Sequence, residues 1–233
     1  MNREKLLIII PAYNEEKSIE SVIDQILKDN NHFDYVIVND GSSDNTASLC
    51  IERGYNFLDL PVNLGLFGAM QTGFKYAYYN GYDYAIQVDG DGQHDVKFIK
   101  EMYDYVKKNG VDILIGSRFV GNQTRIKNLR QFGGKILSGL IFLTTGKKIY
   151  DPTSGMRIYG KKPIERMAFE INNRPEPDTL AYFLRCGMNI DEYPVVMMDR
   201  TNGESYLNIT NSIKYMFAMV TSILIVQWFR KKV

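Results

Sequence analysis

Two carboxylates separated by one glycine, Asp89-Gly90-Asp91, follow directly on the apolar run Tyr84-Ala85-Ile86-Gln87-Val88. That run reads as a buried strand, whose end would hold both carboxylates at the edge of a sheet. Carboxylate oxygens suit Mg²⁺ or Mn²⁺, and Mg²⁺ is commonly held by one or two carboxylates together with substrate phosphates. Taken alone, the triplet is more simply an Asp-Gly turn between two elements. Three further polar clusters shift that balance. They are Pro11-Ala12-Tyr13-Asn14-Glu15-Glu16, Asn39-Asp40-Gly41-Ser42-Ser43-Asp44 and Gly116-Ser117-Arg118, and each closes a run of strand character.

The elements that must carry these clusters alternate. Leu6-Leu7-Ile8-Ile9-Ile10 is a continuous β-type run, as expected of a strand buried on both faces of a parallel sheet. Ile19, Val22, Ile23, Ile26 and Leu27 follow at helical spacing. Strands are then predicted at 35–38, 55–60, 84–88 and 112–115, with helices leading to Cys50, following Asn63-Leu64-Gly65, and over 96–107. Strand–helix alternation predicts a mostly parallel α/β sheet wound by right-handed crossovers. Ligands of such sheets bind beyond the carboxyl ends of the strands, where all four clusters fall. Convergence there predicts one active site.

After Arg118 the alternation breaks. Residues 124–145 read as one or two helices bearing Arg125, Lys127, Arg130 and Lys135. Residues 151–159 look extended, 162–169 and 178–186 helical, and 190–197 a strand, with no repeat or linker. This half is expected to complete one domain spanning residues 1–210. From 213 to 229 the chain is apolar apart from Lys214, Thr221, Ser222 and Gln227, and Arg230-Lys231-Lys232 follow. A crossing helix needs about 20 apolar residues, so residues 211–233 suit a membrane-associating or partner-binding helix, or one docked on its own domain.

Lys plus Arg (28) nearly balances Asp plus Glu (27), which leaves no overall field for nucleic acid. Cys50 and Cys186 lack metal-type spacing and read as reduced, buried residues, in keeping with a cytoplasmic setting. A dinucleotide-binding first loop would carry G-x-G-x-x-G, yet the loop here is acidic and would repel a pyrophosphate unless a metal intervened. No Walker A loop occurs.

The clusters, with Asn63-Leu64-Gly65 and Gln93, resemble in order the family 2 glycosyltransferases with a GT-A fold, over residues 6–207. Within that family the chain is most similar to the polyprenyl-phosphate (dolichol-phosphate) sugar synthases. That narrower likeness rests on Gly116-Ser117-Arg118, Asp151-Pro152-Thr153-Ser154-Gly155-Met156-Arg157, and Asp191-Glu192-Tyr193-Pro194-Val195 with Asp199-Arg200, Gly203 and Ser205. The resemblance implies a single GT-A domain with a Rossmann-like sheet and a C-terminal amphipathic, apolar helix. It implies that Pro11, Ala12, Tyr13, Glu15, Asp40 and Ser42, with Asp89 and Gly90, hold a UDP- or GDP-linked sugar. Asp89, Asp91 and Gln93 would bind Mg²⁺ or Mn²⁺, while Arg118, Arg130, Lys135 and Ser205 would hold the acceptor phosphate. Arg200 would lie on a loop closing over the diphosphate.

The expected reaction is an inverting transfer to a polyprenyl phosphate at the cytoplasmic face of the membrane. Asp91 and Arg200 would serve the departing diphosphate. Tyr206 stands where such synthases commonly carry a lysine, and Asp178 where many relatives have glutamate. Were the acceptor a sugar hydroxyl of a growing glycan, Asp178 would be the candidate base. A non-enzymatic scaffold on this fold would be expected to lose a metal carboxylate, and both are present. A small membrane protein or a second copy of the chain is an expected partner.

Overall fold

The computed structural model describes residues 5–92, 94–120, 129–170, 175–196 and 209–229. Gln93, Arg200 and Ser205 lie outside them, as do Arg125, Lys127, Asp199, Gly203, Tyr206 and Arg230-Lys231-Lys232, and the side chain of Arg130 is likewise not described.

Among the described residues, seven strands form one sheet in the order β3-β2-β1-β4-β6-β5-β7. They are β1 (Leu6–Ala12), β2 (Asp34–Asn39), β3 (Phe57–Asp59), β4 (Tyr84–Gln87), β5 (Ile113–Ser117), β6 (Arg157–Gly160) and β7 (Ile190–Pro194). All neighbouring pairs are parallel except those of β6, which runs antiparallel between β4 and β5. The extended stretch expected over 151–159 thus becomes a sheet member only at its end, inserted between two strands that precede it in sequence.

Alternation along β1 makes the two layers. Leu7 and Ile9 enter one core and Leu6, Ile8 and Ile10 the other, because successive side chains of a strand point to opposite faces. The second layer takes α1 (Ile19–Asn30) through Ile19, Val22, Ile23 and Ile26, and α4 (Phe98–Asn109) through Ile99, Met102 and Val106. α2 (Thr46–Arg53) adds Cys50. The first layer takes α3 (Gly65–Tyr79), α5 (Leu129–Thr145), α6 (Lys161–Phe169) and α7 (Pro177–Arg185).

The C-terminal run forms α8 (Ile209–Thr221), a π-helical turn at Ser222–Val226 and α9 (Gln227–Phe229). Met219 and Ile223 are buried in the core shared with α5 and α7, so this segment docks on the domain through one side. Tyr215 and Ser222 add hydrogen bonds to Glu176 and to Asp178, the latter with Ser222 Oγ 2.6 Å from Oδ2. Among the described residues, no helix is long and apolar enough to cross a membrane.

Candidate active site at the β1–β4 switch point

The chain winds outward from β1 to β2 and β3, then returns so that β4 lies on the other side of β1. Such a switch point opens a crevice beyond the strand ends, the usual ligand position in wound α/β sheets. Because β1, β2, β4, β5 and β7 are parallel and β6 is antiparallel, the ends of those five and the approach to β6 share one edge. The clusters of the sequence meet there.

One wall is the loop after β1, tied to the loop after β2. Asn14, at φ 56, is the only non-glycine residue with positive φ among those described, a conformation Asn tolerates better than most. It gives its N–H to Ser42 Oγ at 2.9 Å and accepts the Ser43 N–H at 2.8 Å. Glu15 N–H reaches Thr46 Oγ1 at 2.9 Å, and the Glu15 carboxylate takes the Ser18 hydroxyl. Ser42 Oγ donates to Asn39 Oδ1, and Asn39 Nδ2 in turn to Asp59 Oδ1 at 2.7 Å. Tyr13 stays exposed while Ala12 is buried. Burial pushes the Asp44 carboxyl up, but hydrogen bonds from Thr46 and from the Glu16 N–H outweigh it and hold the group below its ordinary value.

Asp40 is buried, and its Oδ1 accepts the Leu64 N–H at 2.7 Å. That bond fastens Asn63-Leu64-Gly65 to the loop after β2. Gly41, at φ +62, makes the approach possible: a Cβ there would sit 2.7 Å from Asn63 N and from Val62 C.

The floor is the Asp89-Gly90-Asp91 turn. A Cβ on Gly90 would lie 3.1 Å from Pro11 O, so Asp89-Gly90-Asp91 rides directly against the first loop. Asp89 is half-buried and held from three sides. Gln87 Nε2 donates to its Oδ1 at 2.9 Å, its own N–H goes to His94 Nδ1 at 3.0 Å, and His94 Nε2 stands 3.5 Å from Oδ2. Because Nδ1 accepts, the imidazole proton is on Nε2, facing the carboxylate. Asp91 is buried. Among the described residues, no group of three His, Cys, Asp or Glu side chains could hold a metal. Two hard carboxylates do fit Mg²⁺ or Mn²⁺, which fill their remaining positions with phosphate oxygens and water.

The opposite wall is the segment before β6. A Cβ on Gly155 would lie 3.4 Å from Asp89 Oδ2 and 3.5 Å from His94 Cε1. Arg157, fully buried, braces this segment by donating to Ser154 O at 2.8 Å and Pro152 O at 2.7 Å. Arg118 pairs with buried Asp151 through Nε at 2.7 Å and Nη2 at 2.7 Å, and Nη2 also reaches Thr153 Oγ1 at 3.1 Å. Hydrogen bonding to Asp151 raises the Arg118 pKa against the opposing effect of burial. Glu192 receives the Tyr150 N–H at 2.6 Å and the Asp151 N–H at 2.8 Å. Burial pushes its carboxyl above the ordinary value despite those bonds.

The structure therefore brings together Pro11, Ala12, Tyr13, Glu15, Asp40, Ser42, Asp89, Gly90 and Asp91, with Arg118 on the far wall. Lys135 is exposed on α5, whose Gly134 faces Thr153: a Cβ there would lie 3.8 Å from Thr153 Oγ1. Asp178 is buried at the start of α7, its Oδ2 taken by Ser222. Sequence reasoning gave no role to Asp151, although it is the first carboxylate after Asp112 in a stretch carrying seven cations. That isolation was a usable sign of a buried ion pair. Gln87 and Glu192 carry no comparable sign, since only the register places them.

The family model described as Glycosyl transferase family 2 matches residues 7–168. The UDP-N-acetylglucosamine--dolichyl-phosphate N-acetylglucosaminyltransferase of Methanococcus voltae is 31% identical, covering 82% of this chain and 85% of its own. The polyprenol monophosphomannose synthase of Mycolicibacterium smegmatis is 25% identical over 92% of this chain and 85% of its own. Among solved structures, glucosyl-3-phosphoglycerate synthase from Mycobacterium tuberculosis with Mn²⁺, UDP and phosphoglyceric acid superposes with a TM-score of 0.69 at 16% identity, covering 98% of this chain and 80% of that one. That likeness shows the fold. The chain belongs to glycosyl transferase family 2 and is a glycosyltransferase.

Proposed function

We propose that the enzyme moves a sugar from a UDP- or GDP-linked donor to a polyprenyl phosphate at the cytoplasmic face of a membrane, with inversion at C1. The observation that carries this reading is the wedging of Asp89-Gly90-Asp91 between the Pro11 loop and the Gly155 segment. A donor diphosphate held there would have its nucleoside over one wall and its sugar toward the other. The Methanococcus and Mycolicibacterium relatives, named for dolichyl-phosphate and polyprenol acceptors, support the acceptor class.

Asp89 and Asp91, with Gln93, would hold Mg²⁺ or Mn²⁺. The metal would neutralise the departing diphosphate, the largest charge change of the reaction. Asp40 would receive a base N–H on the oxygen not engaged with Leu64, and Pro11, Ala12, Tyr13, Glu15 and Ser42 would frame base and ribose. Arg200, from the segment after β7, would add positive charge over the diphosphate. Arg118 spends three N–H donors on Asp151 and Thr153. It would thus meet the acceptor as a fixed charge, joined by Arg130, Lys135 and Ser205.

The attacking group is a phosphate oxygen, largely ionised at neutral pH, so the step needs no general base. In the sugar-hydroxyl alternative Asp178 would have to take a proton. Asp178 accepts a hydrogen bond from Ser222 instead, which suits a residue fastening the C-terminal segment. Purified protein with Mn²⁺ and a panel of nucleotide sugars should glycosylate a short polyprenyl phosphate. If no donor is used with that acceptor, the reading fails.

A further inference from the structure

We infer that α5 and the C-terminal α8–α9 run form one docking surface for an anionic lipid bilayer, an inference that rests on the lipid-linked acceptor proposed above. α5 buries Gly134, Leu137, Ser138 and Ile141 on one side. The opposite side of a surface helix is normally polar. Here Phe132, Ile136 and Leu143 follow at helical spacing and are exposed. In the C-terminal run, Phe217, Ile225 and Trp228 are exposed while Met219 and Ile223 face the core. The two helices touch, since a Cβ on Gly133 would lie 3.1 Å from Met216 Sδ.

Charge selects the occupant. The whole chain is balanced, yet residues 129–150 and 209–233 contain no Asp or Glu. Their charged residues are Arg130, Lys135, Lys147, Lys148, Lys214, Arg230, Lys231 and Lys232. Of these, Lys135, Lys147, Lys148 and Lys214 are exposed beside the apolar residues, and that mixture matches the interface of an anionic bilayer, where rings enter the acyl boundary and cations meet lipid phosphates. A second copy docking symmetrically on this face would set cations against cations. The surface is also continuous with the acceptor wall, because α5 packs Gly134 toward Thr153, which binds Arg118. Docked by this surface, the protein would have its acceptor wall beside the lipid phosphates.

The test uses the full chain and vesicles of phosphatidylcholine with or without phosphatidylglycerol. The wild type should co-float with the anionic vesicles and be released by salt. Leu143 is 76% exposed and Phe217 75% exposed, so Leu143→Glu and Phe217→Glu should leave folding intact. Each should lower the vesicle partition coefficient about tenfold, the loss expected from one large apolar side chain. Both variants should still glycosylate a short, water-soluble polyprenyl phosphate. Equal flotation of variants and wild type overturns the surface, as does a wild type that ignores anionic vesicles and sediments as a dimer or with a membrane protein. A wild type that floats as expected but never uses the soluble acceptor overturns the acceptor reading and leaves the surface standing.

Discussion

Arg118 and Asp151 form a two-pronged ion pair whose carboxylate is wholly buried and whose guanidinium is one-third exposed. Asp151 also receives the Arg118 N–H at 3.0 Å, so one carboxylate fixes both backbone and side chain where β5 ends. Removing the Asp151 charge leaves a guanidinium that water already reaches, so the cost is that of lost charge-assisted hydrogen bonds, about 1–3 kcal/mol. Asp151→Asn should therefore lower unfolding free energy by about that amount in urea titrations. Arg118→Lys should also destabilise, because an ammonium cannot reproduce the fork. Wild-type stability in Asp151→Asn would mean that the pair contributes nothing.

Asp91 is proposed to be indispensable to transfer and dispensable to folding. It sits in a loop, outside both hydrophobic cores. Asp91→Ala should keep the circular dichroism spectrum and lose about 10²-fold or more in kcat. Binding of the donor's nucleoside diphosphate, UDP or GDP, should become insensitive to Mn²⁺. His94→Ala should be milder: loss of an outer partner of a ligand typically weakens metal affinity about 10–100-fold. Calorimetric Mn²⁺ titration in the presence of UDP or GDP, whichever binds, separates the two. Undiminished turnover in Asp91→Ala would remove the metal role.

Gly41 and Gly54 share nearly the same backbone, at φ +62 and +65, yet differ in surroundings. Nothing lies within 4 Å of a Cβ at Gly54, whereas Gly41 would meet backbone atoms at 2.7 Å. Gly54→Ala should cost only the left-handed strain of about 1–2 kcal/mol. Gly41→Ala should cost more, since the Val62–Asn63 backbone has to move, and should weaken binding of the proposed donor nucleotide by shifting Leu64 off Asp40. Equal costs for the two would show that the loop yields freely.

Much of this was legible in residue order because parallel α/β sheets repeat a simple rule. The apolar runs beginning at Leu6, Tyr35, Tyr84 and Asp112 read as buried strands, and in a parallel sheet their ends share an edge. The insertion of β6 was not legible. Its four residues, Arg-Ile-Tyr-Gly, carry no direction, and only the register against β4 and β5 makes them antiparallel. The C-terminal run was ambiguous for a different reason. Its composition fits both a docked and a membrane-facing helix, and the structure gives it one buried side and one exposed apolar side. Arg118 was legible as a cation at a strand end, but its fixed pairing depends on Asp151 arriving from far along the chain.

Asp44 supplies the pH dependence. It accepts the Glu16 N–H at 3.1 Å and the Thr46 N–H at 3.0 Å, joining the loop after β1 to the first turn of α2. Those bonds favour the charged form and keep its folded-state pKa below the ordinary 3.8. The stabilisation is then fully present above 3.8 and is lost as pH falls through the lower folded-state value. Asp44→Asn removes the charge and one strong acceptor, so its melting temperature should sit below that of the wild type by a constant interval at neutral pH. The interval should close as the solution is acidified past the aspartate range, because the wild type then loses what the variant never had. An interval that stays constant down to about pH 3 would show that Asp44 acts through shape alone, with no linkage to proton binding.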